Sequence, residues 1–161
     1  MGLRFPAQQF GNCFFVTTTF RDWIPYGHVP GFYEVLADSV AFYSEKYKAK
    51  VIGYVFMPTH LHMILYLDGS HLGDFMRDFK KYIAQKAARE LGVVDKAIWM
   101  SRYDRLAITS EMLLSRLQYM HNNPVKAELA SRVEDWLWSS AADYGGHRVG
   151  HIVVVTDWST L

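Results

Sequence analysis

The chain has 161 residues, half of them hydrophobic, with a formal net charge of +1 and one cysteine. Length and apolar content fit a single domain with a sizeable core and exclude global disorder. The lone Cys13 excludes an internal disulfide framework and fits a reducing compartment, and the near-neutral charge argues against a strong non-specific nucleic-acid binder, so any nucleic-acid site must be a local patch.

The first ten residues, MGLRFPAQQF, have no apolar signal region, and Pro6 defeats a myristoylation pattern. No apolar run is long enough to cross a bilayer, so the expectation is a soluble cytoplasmic protein with no membrane partner. Residues 13–20 predict a strand, with Phe15, Thr17 and Thr19 alternating against Phe14, Val16 and Thr18. Cys13 is expected to be a small core residue. Pro25, Gly27, Pro30 and Gly31 mark a loop. A helix over 32–48 follows, with Val35, Leu36, Ser39, Val40 and Tyr43 at helical spacing. Residues 51–67, VIGYVFMPTHLHMILYL, predict a hairpin turning at Met57-Pro58-Thr59. After the turn Asp68-Gly69-Ser70, a second helix spans 71–91, striped by Leu72, Met76, Phe79, Ile83 and Ala87, with Gly92 as its C-cap. A strand over 103–109 precedes a third helix, N-capped by Ser110 and running to about Asn123, where Pro124 should interrupt it. A shorter segment over 125–130 and a buried or intersubunit strand over 151–156, HIVVVT, complete the series.

No repeats or linkers divide the chain, so 1–161 reads as one domain, with a core over about 13–130 and a C-terminal extension over about 131–161. The order βαββαβ predicts an α+β, ferredoxin-like antiparallel sheet with its helices on one face. The second hairpin strand is then internal, and its other face is where a substrate would lie.

That strand begins His60-Leu61-His62. Alternation puts both histidines on one face, roughly 7 Å apart, while Leu61, Met63 and Leu65 go to the core. A lone strand histidine is usually structural. Two on one face of an apolar strand are costly to bury without a partner, which favours a shared divalent metal. On the third helix, Leu113, Leu117 and Met120 form the core stripe, and Tyr119 falls off it. Asn123 lies one turn beyond, near the same face. Tyr and amide could together offer a nucleophile and an oxygen ligand, but spacing does not place this helix beside the histidine strand. His28, His71, His121, His147 and His151 read as surface or loop residues, with His121 nearest the site.

The stretches YVFMPTHLHMIL, WMSRYDRLAI, LQYMHNNPVKAELA and WLWSSAADYGG, in that order, resemble the REP-associated tyrosine transposases, part of the HUH superfamily of single-tyrosine transposases. The resemblance runs from about Thr17 to Tyr144. It implies a ferredoxin-like fold with an extra helix carrying the catalytic tyrosine. It implies His60, His62 and Asn123 as metal ligands, and Tyr119 as the nucleophile that becomes 5′-phosphotyrosyl and leaves a free 3′-hydroxyl. The implied substrate is single-stranded DNA with hairpins, such as palindromic repeats. Both a monomer and a homodimer are compatible with it. The chain departs from the family in having Arg105 where Tyr-Asp-His is common, and in its low net charge.

A phenol is a poor nucleophile at neutral pH, so the chemistry needs the scissile phosphate polarised. Two imidazoles and an amide oxygen suit Mg²⁺ or Mn²⁺, Mn²⁺ better, with positions left for phosphate oxygens. A closed structural zinc site would need a fourth donor. Arg77, Lys80, Lys81, Arg102, Arg105 and Lys126 are the candidate DNA contacts, each also readable as a solvated charge. Trp99, Trp136 and Trp138 could stack on bases or pack in the core. Two rivals to the transposase remain: a ferredoxin-like single-stranded nucleic-acid-binding module without catalysis, and a water-using metal phosphoesterase.

Overall fold

The computed structural model describes residues 12–95, 97–147 and 152–161. Strand β1 (Cys13–Thr19) is followed by helix α1 (Phe32–Lys46), strands β2 (Lys50–Phe56) and β3 (His60–Tyr66), and helix α2 (Leu72–Glu90). Strand β4 (Asp104–Ala107), helix α3 (Ser110–Lys126) and the short helix α4 (Ala141–Tyr144) complete the regular elements. The strands pair antiparallel in the order β2-β3-β1-β4. This is the expected α+β, βαββαβ arrangement, with β1 and the histidine strand β3 at the centre. Among the described residues, no helix is long and apolar enough to cross a membrane.

Strand alternation divides the sheet between two cores. Phe14, Val16, Leu61, Met63 and Leu65 pack with Leu36 and Val40 of α1 and Phe75, Phe79 and Ile83 of α2. Phe15, Val55 and Ile64 point the other way and pack with Leu113, Leu117 and Met120 of α3. The two helices of the βαββαβ core share one face as expected, but the opposite face is not open: α3 covers part of it. Phe15, Val55 and Ile64 make that second face apolar where α3 covers it, and burying them removes that area from water.

Gly53 sets how closely α3 approaches. The β2–β3 register shifts between Val51 and Gly53, pairing Val51 with Leu65 and Gly53 with Ile64. Gly53 thereby comes to the α3 side, where a Cβ would stand 2.6 Å from Leu117 Cδ1 and 2.6 Å from Met120 Cε.

Pro124 does not interrupt α3, which runs through it to Lys126. The proline sits in the last turn, where it removes one backbone bond, the one its own missing N–H would have made, and the helix ends two residues later. The helix closes with Leu129 N–H donating to the Pro124 carbonyl at 2.8 Å and Glu128 N–H to the Val125 carbonyl at 3.0 Å. Glu128 adopts φ +59°, so the expected segment after Pro124 is the last turn plus a paired left-handed cap.

The expected strand over 151–156 is also corrected. His151 lies outside the described residues, and Val154 makes one isolated parallel bridge to Val51. Val153 is exposed. Most of the outer edge of β2 is taken by an earlier segment: Phe56 N–H donates to the Trp138 carbonyl at 2.8 Å and Ser140 N–H to the Tyr54 carbonyl at 2.9 Å. The C-terminal extension thus covers an edge that would otherwise expose unpaired backbone groups.

Candidate functional site

His60 and His62 share the β3 face that α3 leaves partly uncovered, with ring centroids 4.9 Å apart. Each ring is held through Nδ1 by a threonine hydroxyl. Thr17 Oγ1, opposite His62 on β1, lies 2.7 Å from His62 Nδ1, and Thr59 Oγ1 lies 3.0 Å from His60 Nδ1. Such second-partner bonds orient an imidazole and direct Nε2 to another ligand. Phe15 stacks on His62 at 5.3 Å.

His62 is only 5% exposed, deeper than a pair on an open face should be. Burial, with the neighbouring His60 adding to it, pushes its pKa down to about 3. Burial also lowers the pKa of His60, partly offset by a hydrogen bond with the Asn123 side chain. Both shifts favour the neutral imidazole, the form a metal ligand requires.

Tyr119 and Asn123 arrive from α3. The Tyr119 ring lies 6.0 Å from His62 and 6.2 Å from Phe15, and it is 48% exposed while Leu117 and Met120 on either side are buried. Its position off the core stripe is thus as expected. Asn123, one turn later, reaches His60. The structure brings together His60, His62, Asn123 and Tyr119.

Arg116, which the sequence reading passed over, lies one turn before Tyr119 with its guanidinium 5.8 Å from the Phe15 ring centroid. The i, i+3 spacing to Tyr119 was the available signal. Asp104 is paired with Thr17 across β4 and β1, so it shares the sheet face and the cross-strand row of His62.

His121 is not a surface residue as expected. It is buried, its Nε2 lies 2.7 Å from Ser140 Oγ, and burial lowers its pKa to about 4. Ser140 also receives the Tyr54 N–H at 3.0 Å, so this pair braces α3 against the edge of β2.

The candidate DNA-contact residues scatter. Lys126 is exposed one turn beyond Asn123, and Arg102 is exposed just before β4. Arg105 pairs with Val16, which points to the α1–α2 core, away from the histidines. Arg77, Lys80 and Lys81 belong to α2, on the opposite side of the sheet. Arg77 bonds Asp74 at 2.7 Å and Asp78 at 3.0 Å, and Lys80 donates to the Met100 carbonyl at 2.9 Å. The structure does not bring these α2 cations to the site. Trp99 and Trp136 donate to the carbonyls of Lys80 and Phe56, each at 2.9 Å, and Trp138 packs on Tyr33. All three are spent on packing.

Among the described residues, no group of three or more His, Cys, Asp or Glu side chains could hold a metal ion. The donor set here is two imidazoles and one amide. It fits a divalent ion that keeps open positions, and it lacks the fourth donor of a closed zinc site.

No protein-family model and no curated protein matches the chain. Solved structures do. A REP-associated tyrosine transposase bound to a REP hairpin superposes with a TM-score of 0.77 at 20% identity, over 98% of this chain and 94% of the other. A candidate transposase from Deinococcus radiodurans R1 superposes with a TM-score of 0.50 at 14% identity, over 76% of this chain and 95% of the other. The four-stranded sheet with its flanking helices is the fold of the first of these proteins along nearly its whole length.

Proposed function

We propose that the chain is a REP-associated tyrosine transposase that nicks and rejoins single-stranded DNA at hairpin or palindromic repeats. One observation carries the reading. Two histidines, an amide and a half-exposed tyrosine, supplied by elements about sixty residues apart, meet at one end of one sheet face. The fold neighbour carrying a hairpin supports hairpin DNA as the substrate class.

In this reading His60, His62 and Asn123 hold Mg²⁺ or Mn²⁺, which when bound neutralises charge on the scissile phosphate. The Tyr119 phenol loses its proton and its oxygen attacks phosphorus. The bond to the 3′-oxygen breaks, and that oxygen leaves as a 3′-hydroxyl after taking up a proton. The protein then carries a 5′-phosphotyrosine, whose conserved bond energy lets a 3′-hydroxyl reverse the step. Thr17 and Thr59 keep the imidazoles aimed, Phe15 backs His62 and Tyr119, and Arg116, whose guanidinium lies over the Phe15 ring, would meet a phosphate oxygen.

The test is a denaturing gel of protein incubated with single-stranded hairpin oligonucleotides and Mn²⁺, followed by mass spectrometry of the digested adduct. A nucleotide on the peptide containing Tyr119 is expected. Tyr119→Phe should lower adduct formation by several orders of magnitude with little change in binding. His60→Ala and His62→Ala should each abolish divalent-dependent cleavage. Cleavage without an adduct would instead show a water-using phosphoesterase, and binding without cleavage a non-catalytic module. An adduct on another tyrosine, with Tyr119→Phe still active, would show the nucleophile to be misassigned.

A further inference from the structure

Beside the histidines stands a side chain that the proposed chemistry does not use. Trp23 lies in the turn Arg21–Trp23 between β1 and α1, with its ring 6.1 Å from His60 in an edge-to-face arrangement. It is 58% exposed, although an indole gains more from burial than almost any other side chain.

The backbone beneath it is also unusual. Asp22 and Trp23 are consecutive non-glycine residues at φ +54° and +56°. A bulky residue in this left-handed region is strained, so the surroundings must impose it. They do. Phe20 N–H donates to the Thr59 carbonyl at 3.0 Å and Arg21 N–H to the Ile98 carbonyl at 2.8 Å. Trp23 N–H and Ile24 N–H then close the turn on the carbonyls of Phe20 and Arg21, both at 3.1 Å. The loop is tied to the β2–β3 turn on one side and to the segment before β4 on the other. It holds an indole in water at the rim of the site, at a cost in both strain and lost burial.

We infer that Trp23 is a base-stacking platform that seats an unpaired nucleobase of the DNA strand next to the scissile phosphate. The inference rests on the proposed DNA-cleaving role of the site. A rigid aromatic plane suits an unpaired base because every base has a stackable face, whereas a paired base inside a duplex does not expose one. The placement accounts for the features together: exposure leaves the ring face free, the strained turn fixes its direction, and the His60 contact fixes its distance from the reacting centre. Arg21, whose side chain is 59% exposed and only 3.9 Å from Asp22 Oδ2, lies beside it where a flanking phosphate would pass. Trp23 in this role is a positioning residue. It touches the substrate but not the bond that breaks.

The experiment uses the full chain and hairpin oligonucleotides with a short randomised single-stranded flank. The tightest binder is selected and then resynthesised with one abasic position at a time. Trp23→Ala should weaken binding roughly 5- to 100-fold, and Trp23→Phe should retain most of the affinity. One abasic position should weaken wild-type binding by a similar factor and Trp23→Ala hardly further, a coupling that a purely structural role would not produce. Thermal melting should change little in either variant. Wild-type affinity in Trp23→Ala, or losses that simply multiply at every position, would overturn the inference while leaving Tyr119 chemistry intact. Loss of self-association with unchanged DNA affinity would also overturn it, and would assign the indole to a protein contact. Should wild-type protein bind no member of the pool, this inference and the proposed function both fall. Should it bind and form the Tyr119 adduct while Trp23→Ala does the same equally well, only this inference falls.

Discussion

Gly53→Ala tests whether the spacing between α3 and the sheet governs the chemistry. The added Cβ would stand 2.6 Å from both Leu117 Cδ1 and Met120 Cε, where ordinary contact is 3.4–4 Å. Both partners must therefore yield by about 1 Å. Both contacts are to the ends of flexible side chains, which take up part of the shift; with Leu117 4% exposed and Met120 fully buried, the rest passes to the packing of α3 on the sheet. Overpacking of this size costs about 1–3 kcal/mol, from which the lower entropy of the unfolded alanine chain returns about 0.5–1 kcal/mol. The net loss is then up to about 2.5 kcal/mol, which should lower Tm by up to roughly 10 °C. The functional loss should be larger. Tyr119 and Asn123 ride on α3 while the histidines ride on β3, and a displacement near 1 Å between reacting groups can cost about a hundredfold in rate. The assay is single-turnover adduct formation at saturating hairpin DNA, alongside thermal melting and equilibrium binding. Adding Leu117→Ala should make room for the new Cβ, so the double variant should lose less stability than the two single losses summed. A Gly53→Ala protein with wild-type stability and wild-type adduct rate would refute the reasoning.

Two further predictions concern stability. Asp78 accepts hydrogen bonds from the hydroxyl of Tyr47, from Lys46 and from Arg77, led by Tyr47, and these hold its pKa down to about 2 against an ordinary 3.8. Because the folded-state value is depressed, the contribution is present above about pH 4 and lost as pH falls toward 2. Asp78→Asn should therefore cost about 1 kcal/mol in urea unfolding near neutral pH, allowing for solvent screening, and the gap should close through that window. A gap that persists at pH 2 would exclude this origin. Glu128→Gly should stabilise the protein by about 0.5–1 kcal/mol, because Glu128 holds φ +59° at the α3 cap where glycine bears no penalty. A lower melting temperature would show that its side chain contributes more than its backbone costs.

Much of the fold was legible because local periodicity carries it. The alternation in β1 and the apolar runs flanking Met57-Pro58-Thr59 placed the strands close to their observed limits. The placement of α3 was not legible. Phe15 and Ile64 announce an apolar second face, but alternation does not say which element covers it. The register shift at Gly53 carries no periodic mark, since a glycine in a strand reads only as a weak position until its neighbour is known. Tyr119 and Asn123 were legible as an off-stripe pair, and their meeting with His60 and His62 was not. The basic residues misled for a related reason. Arg77 and Lys80 look like free cations in one dimension, whereas Asp74, Asp78 and the Met100 carbonyl engage them in three. His121 looked like a surface residue because its partner, Ser140, is nineteen positions away.

The segment that closes the outer edge of β2 also sets a timetable. Tyr54 and Ser140 are bonded across 86 positions, so on the ribosome β2 emerges long before its cover. At about 5–20 residues per second, the interval is roughly 4–17 s. Throughout it a strand edge lies bare, and the brace from His121 to Ser140 that steadies α3 does not yet exist. The centre is therefore completed only after all four strands have been synthesised. Arrest-peptide force profiling should register a folding event only once residue 140 has cleared the exit tunnel, and an earlier full-strength event would show that α3 docks without its brace.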